Sequence, residues 1–300
     1  MEEFLEKIIE SYSGYANYLW QEITLKYTYK PWYENYFYLL IIVSLFVWTL
    51  EVLFPWRKKQ PLIRKDFWLD TFYMFFNFFL FNLIIFNALS NTFEFFLQKT
   101  FHFKPEDIQL FQLEKYPIWI QLLIFFIITD FVQWFTHILL HRVSFLWEFH
   151  KVHHSVEQMG FAAHLRYHWM ETVVYKSMLY LPVAIIGGWK FEDVFWVHTF
   201  AILIGHLNHA NVHITYGPLK YILNNPVMHL WHHAYHLPEG RKYGLNYGIS
   251  LSLWDYIFGT AEIPKDDGEI KLGFPGVEEF PKDFIGQELH GFAKRKKDKN

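Results

Sequence analysis

Residues 116–141 read YPIWIQLLIFFIITDFVQWFTHILLH. Apart from Asp130 the stretch has no acidic or basic side chain before its two histidines. At 1.5 Å rise per residue it is long enough to cross about 30 Å of hydrocarbon. It reads as a membrane helix ending in a pair of imidazoles. His137 and His141 are four apart, so a helix turns both rings to one face. Asp130 lies seven residues before His137 on that face, where a carboxylate is costly without a partner. A hydrogen bond to the second ring nitrogen of a metal ligand would supply one.

Working outward, Tyr36–Pro55 is a second run of membrane length, with Glu51 near its end. It starts well inside the chain without a basic segment ahead of it, unlike a secretory signal. A basic loop follows (Arg57, Lys58, Lys59, Arg64, Lys65), then an aromatic run from Phe67 to Leu89 and a mixed segment, Asn91 to Phe103, that reads as an interfacial helix. Beyond the histidines, Thr172–Gly188 and Val194–His213 read as a helical hairpin turning at Gly187-Gly188-Trp189-Lys190. Five spans put both the basic loop and the Lys294–Lys299 tail in the cytoplasm, as the positive-inside rule asks, and bring every dense histidine cluster to that side.

The expected fold is therefore all-α: a polytopic, multi-pass integral membrane bundle with a cytosolic histidine-rich helical cap. Residues 1–115 form a membrane region of two spans and an interfacial segment, 116–260 hold three spans and the histidines, and 261–300 read as a loosely structured cytosolic tail. Composition agrees, with 52% hydrophobic, 22% aromatic and only 19% charged residues among 300. The chain has no cysteine, which excludes disulfides, thiolate nucleophiles and cysteine-held zinc or iron-sulfur centres. A net charge of -3 gives nucleic acid nothing to bind.

Ten of the 17 histidines fall into four motifs: His137 and His141; His150, His153 and His154; His209 and His213; His229, His232 and His233. One HxxxH says little. The order pair, triplet, pair, triplet is hard to explain by packing, because each ring buried without a partner costs roughly 1–3 kcal/mol. An octahedral ion takes at most six ligands, so ten imidazoles suggest two ions with about five each. A structural zinc site closes at four; two ions with a free position suit oxygen or water, and iron is the member of the imidazole-loving metals suited to dioxygen. Arg166, His168 and Glu171 stand ready to orient ligands or a substrate head group, or to start a helix. His164, His206 and His236 lie at helical spacing from proposed ligands and can support or replace one.

From about Asp130 to Thr260 the chain resembles the fatty acid hydroxylase and sterol desaturase superfamily of membrane non-haem di-iron enzymes. The resemblance rests on DFVQWFTH (Asp130–His137) leading to His141, HKVHH (His150–His154), LRYHWME (Leu165–Glu171), HANVH (His209–His213), PVMHLWHH (Pro226–His233), and NYG (Asn246–Gly248) followed by Trp254-Asp255 and FGT (Phe258–Thr260). It implies that the ten histidines hold two iron ions, for which zinc can substitute in purified material, and that the reaction is O2-dependent hydroxylation or desaturation of an acyl, sterol or ether lipid. No dinucleotide fingerprint and no fused haem domain precede the first span, so electrons must come from a separate reductase or small carrier. The competing class is a membrane metal or haem transport protein, whose ligands should line a path through the bilayer at several depths.

Overall fold

A computed structural model describes residues 2–111, 113–187, 191–264 and 268–292. The Lys294–Lys299 tail and Gly188–Lys190 of the expected turn lie outside the described residues. The regular structure among the described residues is helical, with only isolated β-bridges beside it. The helices are α1 (Glu2–Thr24), α2 (Tyr36–Leu53), α3 (Phe67–Phe101), α4 (Ile118–Arg142), α5 (Ser144–His154), α6 (Trp169–Ile186), α7 (Phe191–His209), α8 (Pro226–His232), α9 (Leu253–Ile257) and α10 (Phe284–His290).

Among the described residues, α2, α3 and α4 are long and apolar enough to cross a membrane. The fourth and fifth expected spans do form helices, α6 and α7. Their composition is more polar: α6 carries Glu171 and Lys176, and α7 carries three histidines and two acidic residues. The separate interfacial helix does not exist. α3 runs unbroken to Phe101 because neither glycine nor proline interrupts residues 67–101. Inside it, Phe76–Leu80 and Asn82–Phe86 are wound as π-helix, a local widening frequent near functional sites. An additional helix not expected above, the amphipathic α1, packs along the second half of α3.

The core between α2, α3 and α7 is built from Leu40, Val43, Val47, Phe67, Met74, Phe79, Phe195 and Ile202, with Phe161 and Leu165 of the loop before α6. α4 packs on α5, α6 and α7. Val143 breaks α4 with an extended backbone, and α5 restarts at Ser144 in a new direction. The short α8 is started by Asn225, whose Oδ1 accepts from the amides of Val227 and Met228, with Pro226 already set for the first turn.

The part of the expected loose tail that lies among the described residues, 268–292, is folded. Leu272, Phe274, Val277 and Phe280 are buried, the last three with Tyr73 of α3 and Val152 of α5, and the Gly273 amide donates to the carbonyl of His233. Three apolar side chains buried in one cluster and Leu272 in another outweigh the prolines and glycines around them.

Candidate metal centre

The structure gathers nine of the ten expected ligands into two buried groups. His137, His141, His150, His154 and His232 form one, and His153, His209, His229 and His233 the other; within each group one nitrogen per ring lies within 4.8 Å of all the others. Helical spacing explains the sorting. On α5, His150 and His154 are one turn apart and face the first group, while His153 points to the second. On and after α8, His232 faces the first group and His229 and His233 the second.

Hydrogen bonds fix the tautomers. His153 donates from Nδ1 to the carbonyl of Arg166 at 3.0 Å, and His209 donates from Nδ1 to the carbonyl of Gly205 at 2.8 Å. A carbonyl only accepts, so neither ring of that pair has a proton left for Nε2. Their Nε2 atoms nevertheless lie 3.3 Å apart, two lone pairs aimed at one point. In the first group His137 donates to the carbonyl of Tyr247 at 2.8 Å and His232 to that of Leu245 at 2.9 Å, while His150 bonds the Glu171 carboxylate at 2.7 Å. The Nε2 atoms of His141, His154 and His232 are buried without a hydrogen-bond partner.

A metal–imidazole bond of about 2.1 Å puts adjacent ligand nitrogens about 3.0 Å apart and opposite ones about 4.2 Å. The contacts of 3.1 Å between His137 and His150, 2.9 Å between His209 and His229 and 3.2 Å between His229 and His233 match that spacing. Burial, reinforced by neighbouring rings, holds His154, His229, His232 and His233 well below the usual histidine range, and holds His153 down to about 3. These rings are neutral at pH 7, the form that ligates. Both donor sets fit an imidazole-binding ion such as iron or zinc.

The family profile described as fatty acid hydroxylase matches residues 122–260, the segment that contains every one of these rings. This segment resembles the fatty acid hydroxylase family. Similar proteins include an ornithine lipid hydroxylase of Rhizobium tropici, 30% identical over 61% of this chain and 53% of its own length. Human alkylglycerol monooxygenase is 33% identical over 46% of the chain and 29% of its own length. A very-long-chain aldehyde decarbonylase of Oryza sativa subsp. indica is 24% identical over 46% and 22% respectively. The chain thus spans about half or less of these relatives. No solved structure matches it.

One expected ligand in the matched segment lies elsewhere. His213 is exposed, packed against the Trp56 ring with centroids 5.0 Å apart. Helical spacing from His209 does not apply, because α7 ends at His209. The Glu51 carboxylate there captures the Asn211 amide, and the Asn211 carbonyl receives the Trp56 amide. His164 stands closer to the second group: its ring lies 5.3 Å from that of His209, and its Nδ1 is 2.8 Å from Nδ1 of His206. His206 in turn reaches Ser44 Oγ at 3.1 Å. His236 is exposed against Tyr235, on the wall of a cleft of about 590 Å³ that reaches His141, His154 and His232.

The remaining candidates hold the scaffold. Asp130 does not bond a ligand ring; its carboxylate accepts from the Ser250 amide and the Trp254 indole, which pins the 246–260 segment to α4. Arg166 is buried, donating to Asp70 at 2.9 Å, Asp66 at 3.3 Å and Ser155 Oγ at 2.9 Å, so that its own carbonyl meets His153. His168 starts α6, accepting the Met170 amide on Nδ1 and donating from Nε2 to the carbonyl of Glu288. Asn246, in the left-handed region at φ 54°, bonds the carbonyls of Met228 and Glu262 and receives the Glu262 amide.

Sequence reasoning did not foresee the carbonyls of Tyr247, Leu245 and Gly205, since a backbone acceptor has no residue-type signature. Asp255 enters the sequence reading only within the Trp254-Asp255 pair that follows Asn246–Gly248. It accepts from the Trp134 indole, the amides of Tyr247 and Gly248, and the Thr260 hydroxyl, and so fixes the carbonyl that orients His137. A charge at Asp70 inside the apolar run from Phe67 was the available signal for the Arg166 network.

Both groups border a cavity of about 360 Å³ between α4, α6 and α7, whose wall includes His137, His153, His209 and His229. A narrower cleft of about 200 Å³, sharing Gln133, Leu179 and His198 with it, continues between the same helices past Phe125, Phe126, Val183 and Val197.

Proposed function

We propose that the chain is a membrane-bound, O2-dependent lipid oxidoreductase that hydroxylates a C–H bond of an acyl, sterol or ether lipid with two iron ions. The observation that carries this reading is the pair of converging Nε2 lone pairs on His153 and His209, set on the wall of a mainly apolar cavity between helices. The family and the names of the relatives point to the same lipid chemistry. Bound by the two groups, iron would supply reduction of dioxygen and attack on an unactivated C–H bond. The chain itself keeps nine rings neutral and oriented, excludes water by burial, and presents the apolar cleft to an alkyl chain.

Electrons would come from a separate reductase or small carrier. The basic loop supports a cytoplasmic metal site: Arg57 donates to the carbonyl of Met159 and Lys65 pairs with Glu157, so the loop lies beside the segment that follows His154. By the positive-inside rule that end faces the cytosol. A metal transporter would spread its ligands along a path, whereas these form two compact adjacent groups.

The test is metal analysis of the purified protein with lipid profiling of host membranes with and without it. The expected result is about two ions per chain and a lipid gaining the mass of oxygen. A protein with no metal and no altered lipid refutes the proposal.

A further inference from the structure

Lys176 lies in α6 five residues after Glu171, about 7.5 Å further along the helix axis, and lines the cavity that both histidine groups border. Its Nζ donates to Asn82 Oδ1 at 2.7 Å and sits 3.8 Å from the centroid of the Phe86 ring. Both partners come from the second π-wound turn of α3. A carbonyl oxygen and an aromatic face each favour a charged ammonium. Among the described residues no carboxylate makes an ion pair with it. Glu171, the acid on the same wall, bonds His150 instead. An ammonium has three donors; Asn82 takes one.

A cation among apolar helices without a counter-ion is costly, and such a residue marks a ligand or ion path by default. From Lys176 the wall runs past Leu179, which the cavity shares with the cleft lined by Phe125, Phe126, Val183 and Val197. The cavity thus offers a half-buried positive charge with two further donors at one place and alkyl-sized apolar space at the next.

We propose that Lys176 anchors an anionic oxygen headgroup, a carboxylate or a phosphate, so that the lipid accepted by this cavity is an anionic one with its alkyl chain along Leu179. This rests on the lipid-oxidising reading above for the role of the cavity, but headgroup recognition can be measured without turnover. Lys176 is a specificity residue here, since charge pairing selects the substrate while the histidine groups are untouched.

The test uses purified full-length protein in nanodiscs of neutral lipid, with four radiolabelled sixteen-carbon probes: palmitate, hexadecanol, lysophosphatidic acid and monoacylglycerol. One or both anionic probes should bind roughly tenfold or more tightly than the neutral partner, and the arm that shows it identifies the anion. Lys176→Met should abolish the preference while leaving the neutral probes within about twofold of wild type; Lys176→Arg should retain most of it. Equal binding of anionic and neutral probes to the wild-type protein overturns the proposal, whatever the variants do, and so does a preference that survives Lys176→Met. Charge-selective binding by a protein that carries no metal and leaves the lipids of its host membranes unoxidised would refute the lipid-oxidising reading and leave the anchor standing. Oxidised product without charge selectivity would do the reverse.

Discussion

Replacing Asp255 with Asn tests whether the metal centre depends on backbone oxygens placed from outside it. The wild-type carboxylate, fully buried, takes three donors on Oδ1, from Trp134 at 3.0 Å, the Tyr247 amide at 2.9 Å and Thr260 at 2.6 Å. It takes one on Oδ2, from the Gly248 amide at 2.7 Å. An amide can keep its oxygen toward the first three, but its NH2 then faces the Gly248 N–H, donor against donor. The loss of one hydrogen bond to a charged group, about 1.5–3 kcal/mol, adds to the cost of a buried amide without an acceptor, about 1–3 kcal/mol. A penalty of roughly 2.5–6 kcal/mol is a large share of a typical folding free energy of about 5–15 kcal/mol. The strain falls on Tyr247, whose carbonyl holds His137. The protein should remain membrane-inserted, lose about 10- to 100-fold in affinity at the first histidine group, and keep the second. Metal titration of detergent-purified protein, with size exclusion to confirm folding, reads this out as one weakened and one normal site. Two sites of wild-type affinity in a protein of unchanged stability would refute the reasoning, as would equal weakening of both.

His153→Ala should lower metal content and abolish turnover, whereas His213→Ala should leave both unchanged, checked by metal analysis alongside lipid profiling; metal loss in the second variant would restore His213 to the ligands. Gly205→Ala places a methyl group 2.1 Å from the present position of His164 Nε2, so the ring must leave His206. A destabilisation of about 1–3 kcal/mol is expected, measured by thermal unfolding against wild type. Glu288, on α10, carries a carboxyl that burial pushes up to about 7. The folded chain therefore holds a proton there that the unfolded chain has lost above pH 4.5 or so, and this stabilisation fades as pH rises through about 7. Glu288→Gln should gain stability relative to wild type across that window, by something on the order of 3 kcal/mol, in unfolding measured from pH 4.5 to 8. His168, held down to about 4 by burial, acts in the opposite sense as pH falls below 6.5 or so, so the difference between the two proteins is the quantity to follow.

The helices α2 and α4 could be read directly, since each is a long apolar run with turn-forming residues at its ends. α3 could not be bounded from composition: Glu94 and Lys99 looked like an ending, yet helices tolerate charge at an exposed face and stop only where the backbone finds another partner. The histidine motifs were legible for the same reason that α5 and α8 work, because spacings of three and four place rings on known faces. That logic fails at His213. The stop of α7 is set by Glu51 and Trp56, more than 150 residues earlier in the chain, and nothing local announces it. The fold of Leu272–Phe280 beneath α5 is invisible for a like reason, as its apolar residues are few and become a core only against Tyr73 and Val152.

The acceptors explain why so much of the domain outside the histidines has a defined shape. A neutral imidazole has one proton, and whichever nitrogen keeps it is lost to the metal. Each carbonyl that accepts a hydrogen bond from Nδ1–H, those of Arg166, Gly205, Tyr247 and Leu245, decides that Nε2 is the ligand and fixes the plane of the ring. None of these carbonyls is free to settle wherever the ring prefers. Arg166 is held by Asp70 and Asp66, Tyr247 by Asp255, and Gly205 sits within α7, where His164 occupies the space a side chain would need. The direction of the lone pairs is thus specified two bonds away from the rings, by carboxylates and a glycine whose own chemistry plays no part in ligation. Moving one of these supports changes the angle at which an ion is met without removing a ligand. Such variants should therefore weaken metal binding in proportion to the displaced ring, while the number of histidines stays the same.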